Sequence, residues 1–367
     1  TLDVSASYIK QKDQNMVNQG TYNNPLVGAY LFPRGNDWED IKMYERYDVA
    51  RKIYTQYWPT GDGNMTMQNP YWVNYRNLRE NKKDRYMLGA SLNYQILDWL
   101  NVSGRVRLDN SNNDYTEKAY ASTNTQLTEL SDRGLYGISR SYEKQLYADF
   151  LVSVNKTFGE KWSLQANMGG SFTDMRYDEM AVRGPIADDS KTFAGEKAGL
   201  TNGFYIQNLS TTKTSKMQSG WREQTQSIYA SAEVGYQSTY YLTLTGRNDW
   251  NSRLVNTSEE SFFYPSVGLS GIISEMVKLP EFISYLKVRG SYTEVGSPVS
   301  QSGLTPGTVT TPIIGGALAP TGIYPFTDFK AERTRSYELG LSVRLWNKLS
   351  AEVTYYKSNT YNQTFIG

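Results

Sequence analysis

The residues able to do chemistry in this chain are carboxylates, arginines and aromatic rings, and their spacing points to no catalytic or metal centre. Among 367 residues there is no histidine and no cysteine. Ser-His catalysis, imidazole zinc sites, thiolate nucleophiles and disulfides are therefore excluded. The carboxylates cluster as Asp37, Glu39, Asp40, as Asp188-Asp189 and as Glu259-Glu260. A calcium site needs six or more oxygens around one point, and none of these has EF-hand spacing. They read as solvated loop residues, and Asp62-Gly63-Asn64 reads as a tight turn. Glycoside hydrolysis would need two carboxyls at a fixed separation, which sequence spacing does not supply. The expectation is a protein that is no enzyme, with no metal and no cofactor.

Binding chemistry is better represented. Trp38, Trp58, Tyr71 and Trp72, with Arg34, Arg51, Tyr54 and Tyr57, crowd one early segment rich in Asp, Asn and Gly. Ring faces stack on the apolar faces of sugars, while polar neighbours bond hydroxyls. Contact with a substrate or with a covering partner is expected from Trp38, Trp58, Tyr71, Trp72 and Arg34. A short helix is expected between Asp37 and Tyr47. Lys plus Arg number 38 against 37 Asp plus Glu, a net charge of +1. That balance gives no reason to expect nucleic acid as a partner.

The elements that must position these residues are strands. Tyr86, Leu88, Ala90, Leu92, Tyr94 and Ile96 alternate with polar residues or glycine at most intervening positions. The same period recurs from Leu146, Ile228, Tyr240, Leu286, Tyr337 and Leu349, giving each strand one apolar and one polar face. No run of about 18 apolar residues exists, so no membrane-spanning helix is expected. Aromatics make 14% of the chain, 30 of them Tyr, yet mean hydropathy is −0.59. Strands that face lipid with every second residue reconcile these numbers.

About eleven strands follow one another, joined alternately by short and long connections. Short ones lie near 97–99, 155–161, 237–239 and 346–348, with a somewhat longer one over 274–285. Long ones are expected over about 12–84, 114–140, 178–220, 250–261 and 298–332. Short turns on the periplasmic side and long loops outside are the pattern of an outer-membrane barrel. Trp99, Trp162, Trp346, Tyr236, Tyr240 and Tyr285 fall at the short-turn ends, where an aromatic girdle would lie. Arg105, Arg107, Arg247, Arg289, Glu338 and Arg344 occupy the polar phase and should line a wet lumen, mostly as cross-strand ion pairs. An odd strand count cannot close an up-and-down barrel, so residues 1–367 are expected to be an interior part of one larger barrel. The chain opens on a strand, Thr1-Leu2-Asp3-Val4, so no export leader is expected within it.

Particular phrases sharpen this reading. Tyr240-Tyr241-Leu242-Thr243-Leu244-Thr245-Gly246-Arg247-Asn248-Asp249-Trp250 resembles a strand of the SusC/RagA family of TonB-dependent outer-membrane transporters. So do the phrases 261–268, 286–296, 332–340 and 353–360, and the loop phrases Gln68-Asn69-Pro70-Tyr71-Trp72 and 200–205. The resemblance implies a 22-stranded transmembrane β-barrel with an N-terminal plug. It implies energy from TonB, a SusD-like surface lipoprotein as lid, and barrel–lid pairs that dimerise. Oligosaccharides are the expected substrates, with oligopeptides as the alternative. A passive porin-like channel or an adhesion barrel is the alternative of another class, and a soluble β-sandwich or propeller the structural one.

Overall fold

The computed structural model describes residues 1–16, 20–58, 68–255, 257–298 and 330–363, and the backbone at 313–314 and 317–318. In chain order its strands are β1 (Leu2–Gln14), β2 (Glu45–Asp48), β3 (Ile53–Gln56), β4 (Asn77–Leu97), β5 (Leu100–Tyr120), β6 (Gly134–Phe158), β7 (Trp162–Pro185), β8 (Ser215–Tyr236), β9 (Tyr240–Asn251), β10 (Ser261–Ile272), β11 (Ile283–Ser297), β12 (Ile313–Ile314), β13 (Ala317–Leu318), β14 (Glu332–Leu345) and β15 (Leu349–Tyr361). Three short helices accompany them: α1 (Pro25–Leu31), α2 (Pro70–Arg76) and α3 (Ile273–Met276). Eleven strands form one antiparallel sheet in the order β1-β4-β5-β6-β7-β8-β9-β10-β11-β14-β15. Each strand pairs with the next sheet strand along the chain, so the sheet is a simple meander. The pairs β2–β3 and β12–β13 are small hairpins within long connections. Among the described residues, β1 and β15 each pair on one side only.

Register makes the alternation two-dimensional. One row aligns Leu2, Leu92, Gly104, Phe150, Gly170 and Ile228 across six strands. Another aligns Leu242, Leu269, Gly290, Leu339 and Tyr355. A slip of one residue would reverse every side chain, so this continuity fixes the register. The apolar face stays open: Phe150 is 55% exposed, Met168 60%, Leu269 62% and Leu339 62%. Most of the large buried apolar residues, such as Ile41, Trp72, Ile186, Phe193 and Leu254, sit in the connections, and Leu135 and Phe262 lie at the long-loop ends of β6 and β10. No second sheet covers the apolar face among the described residues. A soluble sandwich would hide that face in a dry core; here it is left for lipid.

The height of the apolar band can be read along one strand. On β5 the outward phase runs Leu100, Val102, Gly104, Val106, Leu108 and then turns polar with Asn110, Asn112 and Asp114. Nine tilted residues span roughly the ~25 Å apolar belt of such barrels. At the short-turn edge, Trp162 lies 4.6 Å from Tyr236, which lies 6.4 Å from Tyr240. No helix among the described residues is long and apolar enough to cross a membrane.

The strands continue past that belt, which corrects the loop boundaries. β4 to β8 are 21, 21, 25, 24 and 22 residues long. The long connections are 15–76, 121–133, 186–214, 252–260 and 298–331, shorter than the alternation suggests. Beyond the belt both phases are polar, so alternation disappears while the backbone ladder persists, as in Gln14 opposite Glu80. Gln237 and Ser238, and Trp346 and Asn347, hold positive φ at two tight turns. That geometry matches the twist of the strands it joins.

Phase predicts mutational cost. Met168→Arg on the apolar face should destabilise the folded protein by about 2–4 kcal/mol, and Ser171→Arg on the polar face by about 1 kcal/mol or less. Denaturant unfolding of full-length protein in lipid vesicles measures the difference.

Candidate functional site

The described residues of the connections 15–76, 121–133 and 186–214 fold into one body at the long-loop end of the wall. Asn69 is its hub. Its Oδ1 accepts from Tyr71 N at 2.9 Å and starts α2, with Pro70 preset as the first helical residue. Its Nδ2 donates to the carbonyls of Ile41 at 2.8 Å and Tyr57 at 3.1 Å. Gln68 donates to Tyr22 O and accepts from Asn124 N. Trp72 Nε1 donates to Thr123 Oγ1 at 3.0 Å, and Thr123 donates to Asn77 Oδ1 at 2.7 Å. Asn202, at φ 58°, accepts from Ala121 N at 2.7 Å. Asn208 donates to the carbonyls of Leu200 and Gly203 at 2.8 Å each. Ser131 reaches Ile186 O at 2.7 Å, and Arg183 bridges Glu117 and Glu129.

Glu196 closes the third connection. Its Oε1 accepts from Ser210 Oγ, Thr211 Oγ1, Thr212 N and Thr212 Oγ1 at 2.8–3.0 Å. Burial pushes its pKa up, but the donors from Thr212, Ser210 and Thr211 outweigh that and hold it at about 2.

The aromatic residues expected to contact a solute or partner divide. Trp72 is fully buried. The expectation that it contacts a ligand is corrected: its ring packs inside the loop body and its N–H is spent on Thr123. Trp38 is 39% exposed and stands edge-on to Phe32 at 5.3 Å. Trp58 is half-buried, edge-on to Phe32 at 6.2 Å, with its indole N–H shielded and unpartnered among the described residues. Tyr71 is half-buried and stacks near Tyr44 at 6.5 Å and Tyr75 at 6.3 Å. Arg34 is exposed and forms no ion pair among the described residues. The helix expected over Asp37 to Tyr47 is a single 3-10 turn, Trp38–Lys42, capped by Asp37, because Glu45 already begins β2.

Sequence reasoning passed over Tyr47 and Tyr75: Tyr47 pairs with Tyr54 at 5.4 Å between ring centroids, and Tyr75 with Tyr44 at 5.5 Å. It also missed the hubs Asn69, Asn202 and Asn208. Asn69-Pro70 carried a usable signal, an N-cap residue followed by proline. The acidic residues gather no metal-binding cluster among the described residues. Asp188 is not solvated as expected: it is 2% exposed and accepts from Ser190 N at 2.9 Å. Asp189 pairs with Arg133 at 3.2 Å, and Glu259 accepts from Ala331 N. Asp62-Gly63-Asn64 lies outside the described residues.

The polar face of the wall carries paired charges. Arg105 meets Asp149 at 2.8 Å, and that carboxylate is 1% exposed. Arg247 binds Asp249 at 2.8 Å and Ser227 at 2.9 Å, while Tyr264 donates to the same Asp249. Arg289 bridges Glu338 at 3.0 Å and Glu352 at 2.7 Å. Arg107 and Arg344 form no ion pair among the described residues. Arg107 lines a concavity of about 570 Å³ with Ser5, Ser7, Asp109 and Tyr147. A larger concavity, about 1110 Å³, lies on the apolar face around Leu92, Val106, Phe150 and Ile228, where acyl chains would sit.

A meander of long strands with one lipid-ready face and one ion-paired face is the wall of a transmembrane β-barrel. The chain belongs to the TonB dependent receptor-like β-barrel family, whose model matches residues 12–366. Barrels of this family lie in the outer membrane, and its members are receptors and transporters rather than enzymes. The fold is similar to the RagAB peptide transporter, with TM-score 0.67 and 16% identity over 98% of this chain. The RagAB peptide importer in its closed-closed state gives 0.67 at 18% identity, again over 98% of this chain. The chain spans 38% of the length of each. No curated protein matches it by sequence.

Two outcomes test the loop body. Trp72→Ala should destabilise it by about 3–5 kcal/mol, measured as faster proteolytic nicking of residues 15–76 while the strand signal in circular dichroism persists. Glu196 contributes stability above the unfolded carboxylate pKa of about 4.3, and that contribution is lost as pH falls through the folded value of about 2. Protease resistance of 186–214 should therefore fall between those values in wild type. In Glu196→Gln it should already be low at pH 7 and nearly flat with pH.

Proposed function

We propose that this chain is a section of the wall, outer loops and cavity lining of an active importer for an oligomeric nutrient. The observation that supports it best is the loop body: a folded, ring-bearing platform standing on a polar, ion-paired wall. Trp38, Trp58, Tyr71 and Arg34 contact the cargo or the lid, and Trp72 holds the platform beneath them. Arg105, Arg107, Arg247, Arg289, Glu338 and Arg344 line the passage, with Arg107 and Arg344 the cations left for a solute or a plug. TonB supplies the energy through a plug domain inside a 22-stranded barrel. A SusD-like surface lipoprotein covers the loops, and two barrel–lid pairs associate.

Two cargo classes have support. Exposed rings among Asp and Asn suit an oligosaccharide, whose sugar faces stack on aromatics. The solved barrels of similar fold are a peptide transporter and a peptide importer, which favours an oligopeptide. Whole cells expressing the full-length protein should accumulate labelled oligosaccharide or oligopeptide, and deletion of TonB should abolish that uptake. Uptake of both labels unchanged without TonB would support a passive channel instead. Trp38→Ala with Arg34→Ala should lower uptake of the preferred class about tenfold, with protein levels in the membrane unchanged.

A further inference from the structure

On the inner face of the wall, three neighbouring arginines share two aspartates. Arg85 takes Asp109 through Nε at 2.8 Å and through Nη2. Arg105 takes Asp149 through Nε at 2.9 Å and Nη2 at 2.8 Å. Each carboxylate is held by two prongs of one guanidinium, the strongest way an arginine binds it. Arg107 stands between these pairs on β5, two residues from Asp109 and two from Arg105. Both carboxylates beside it are taken, and it forms no ion pair among the described residues. The group carries one positive charge in surplus.

The surplus charge faces open space. Opposite Arg107 lie Gly89 on β4 and Tyr147 on β6. Glycine leaves the floor without a side chain: a Cβ there would stand 2.7 Å from Ser5 Oγ. The result is the concavity of about 570 Å³, lined by Arg107, Ser5, Ser7, Gln145 and Tyr147 among others. Arg107 is exposed in it, and Ser5, Ser7 and Gln145 bring two hydroxyls and an amide. Val106 and Leu108, the chain neighbours of Arg107, are the last two apolar positions of the outward phase on β5. The concavity therefore opens toward the long-loop end of the wall, the end from which an imported solute enters. Arg344, also without an ion pair among the described residues, lies beside the 346–348 turn at the opposite end.

We propose that this concavity is a carboxylate subsite on the solute path, and that the imported oligomer carries a free carboxylate. The Arg107 fork takes that group, with the Ser5 and Ser7 hydroxyls and the Gln145 amide available to its remaining lone pairs. A carboxylate balances the three guanidiniums. A neutral sugar or an amide-capped peptide end brings no charge and only exchanges hydrogen bonds with water. The inference rests on the import reading and adds to it the charge of the cargo. Two sources offer the same chemistry: the C-terminus of an oligopeptide and a uronic acid of an oligosaccharide.

The test titrates full-length protein from native outer membranes with two pairs of fluorescent probes. One pair is an oligopeptide mixture free of Asp and Glu, with its C-termini either free or amidated. The other is an oligosaccharide mixture ending in a uronic acid, and the same mixture with that carboxyl reduced to the alcohol. Wild type should bind the acid member of one pair at least about tenfold more tightly than its neutral partner, and which pair responds identifies the source. Arg107→Gln, which breaks no ion pair, should erase the difference. Arg107→Lys, which keeps the charge and loses the fork, should retain part of it. Gly89→Leu should fill the floor and weaken the acid member severalfold with Arg107 in place. Equal binding of acid and neutral members in both pairs would overturn the proposal, as would failure to bind either acid. So would an Arg107→Gln variant that weakens acid and neutral members alike, the mark of an arginine engaged by a carboxylate elsewhere in the full-length chain. An acid preference that persists while uptake proves independent of TonB would remove active import and support the subsite.

Discussion

The whole structure depends on one constraint: a backbone crossing hydrocarbon must satisfy every N–H and C=O from within the protein. The meander does this strand against strand, with register unbroken for 20 or more pairs between β5 and β6, β6 and β7, and β7 and β8. Once the ladder is fixed, side chains have only two directions. Leu92, Val106, Phe150 and Met168 take one, while Arg105, Asp149, Ser171 and Ser227 take the other. Solvent preference then follows from phase, and the ion pairs of the polar face follow from crowding charges there. Asp149 is nearly sealed from water yet stays paired, because Arg105 on the neighbouring strand is directly opposite.

This constraint also explains what the sequence made legible. Eleven strands, their order and the faces of Arg105, Arg247, Arg289 and Glu338 follow from period-two alternation, because lipid punishes any exception. Strand ends did not follow. Outside the hydrocarbon, Lys82, Asp114 and Arg140 alternate with other polar residues, so the contrast that reveals a strand vanishes while its hydrogen bonds do not. The loops were least legible. Nothing in periodicity separates Trp72, sealed inside, from Trp38, which faces out. That difference arises from Thr123, 51 residues away, which offers an acceptor at the right place. Asp188 and Asn208 show the same limit, since each is buried by long-range packing and paired by local backbone.

Wall and loops therefore obey different physics. Among the described residues the apolar face of the wall packs against no dry core, and its side chains are left for lipid. The loop body buries individual apolar side chains, Ile41, Trp72, Ile186 and Phe193 among them, and is organised by amide side chains that bond backbone. Gln68, Asn69 and Asn208 each satisfy two or more main-chain groups, and Asn202 one, that water would otherwise have to reach. A buried backbone group left unpaired costs free energy comparable to a lost hydrogen bond. These amides therefore fix the path of the loops more strictly than the rings they display.

That division sets which loop residues are free to change. Exposed residues such as Trp38, Tyr47, Tyr54 and Tyr75 sit between the pins and are not themselves pins, so they can change without unfolding the platform. Residues that bond the backbone cannot. A chain built this way can change its displayed surface while its wall and its loop scaffold stay in place. At 16–18% identity the fold is still shared over nearly the whole chain, as expected when alternation carries the architecture. The side chains that neither lipid nor the loop scaffold constrains are also the ones least visible to any rule of periodicity.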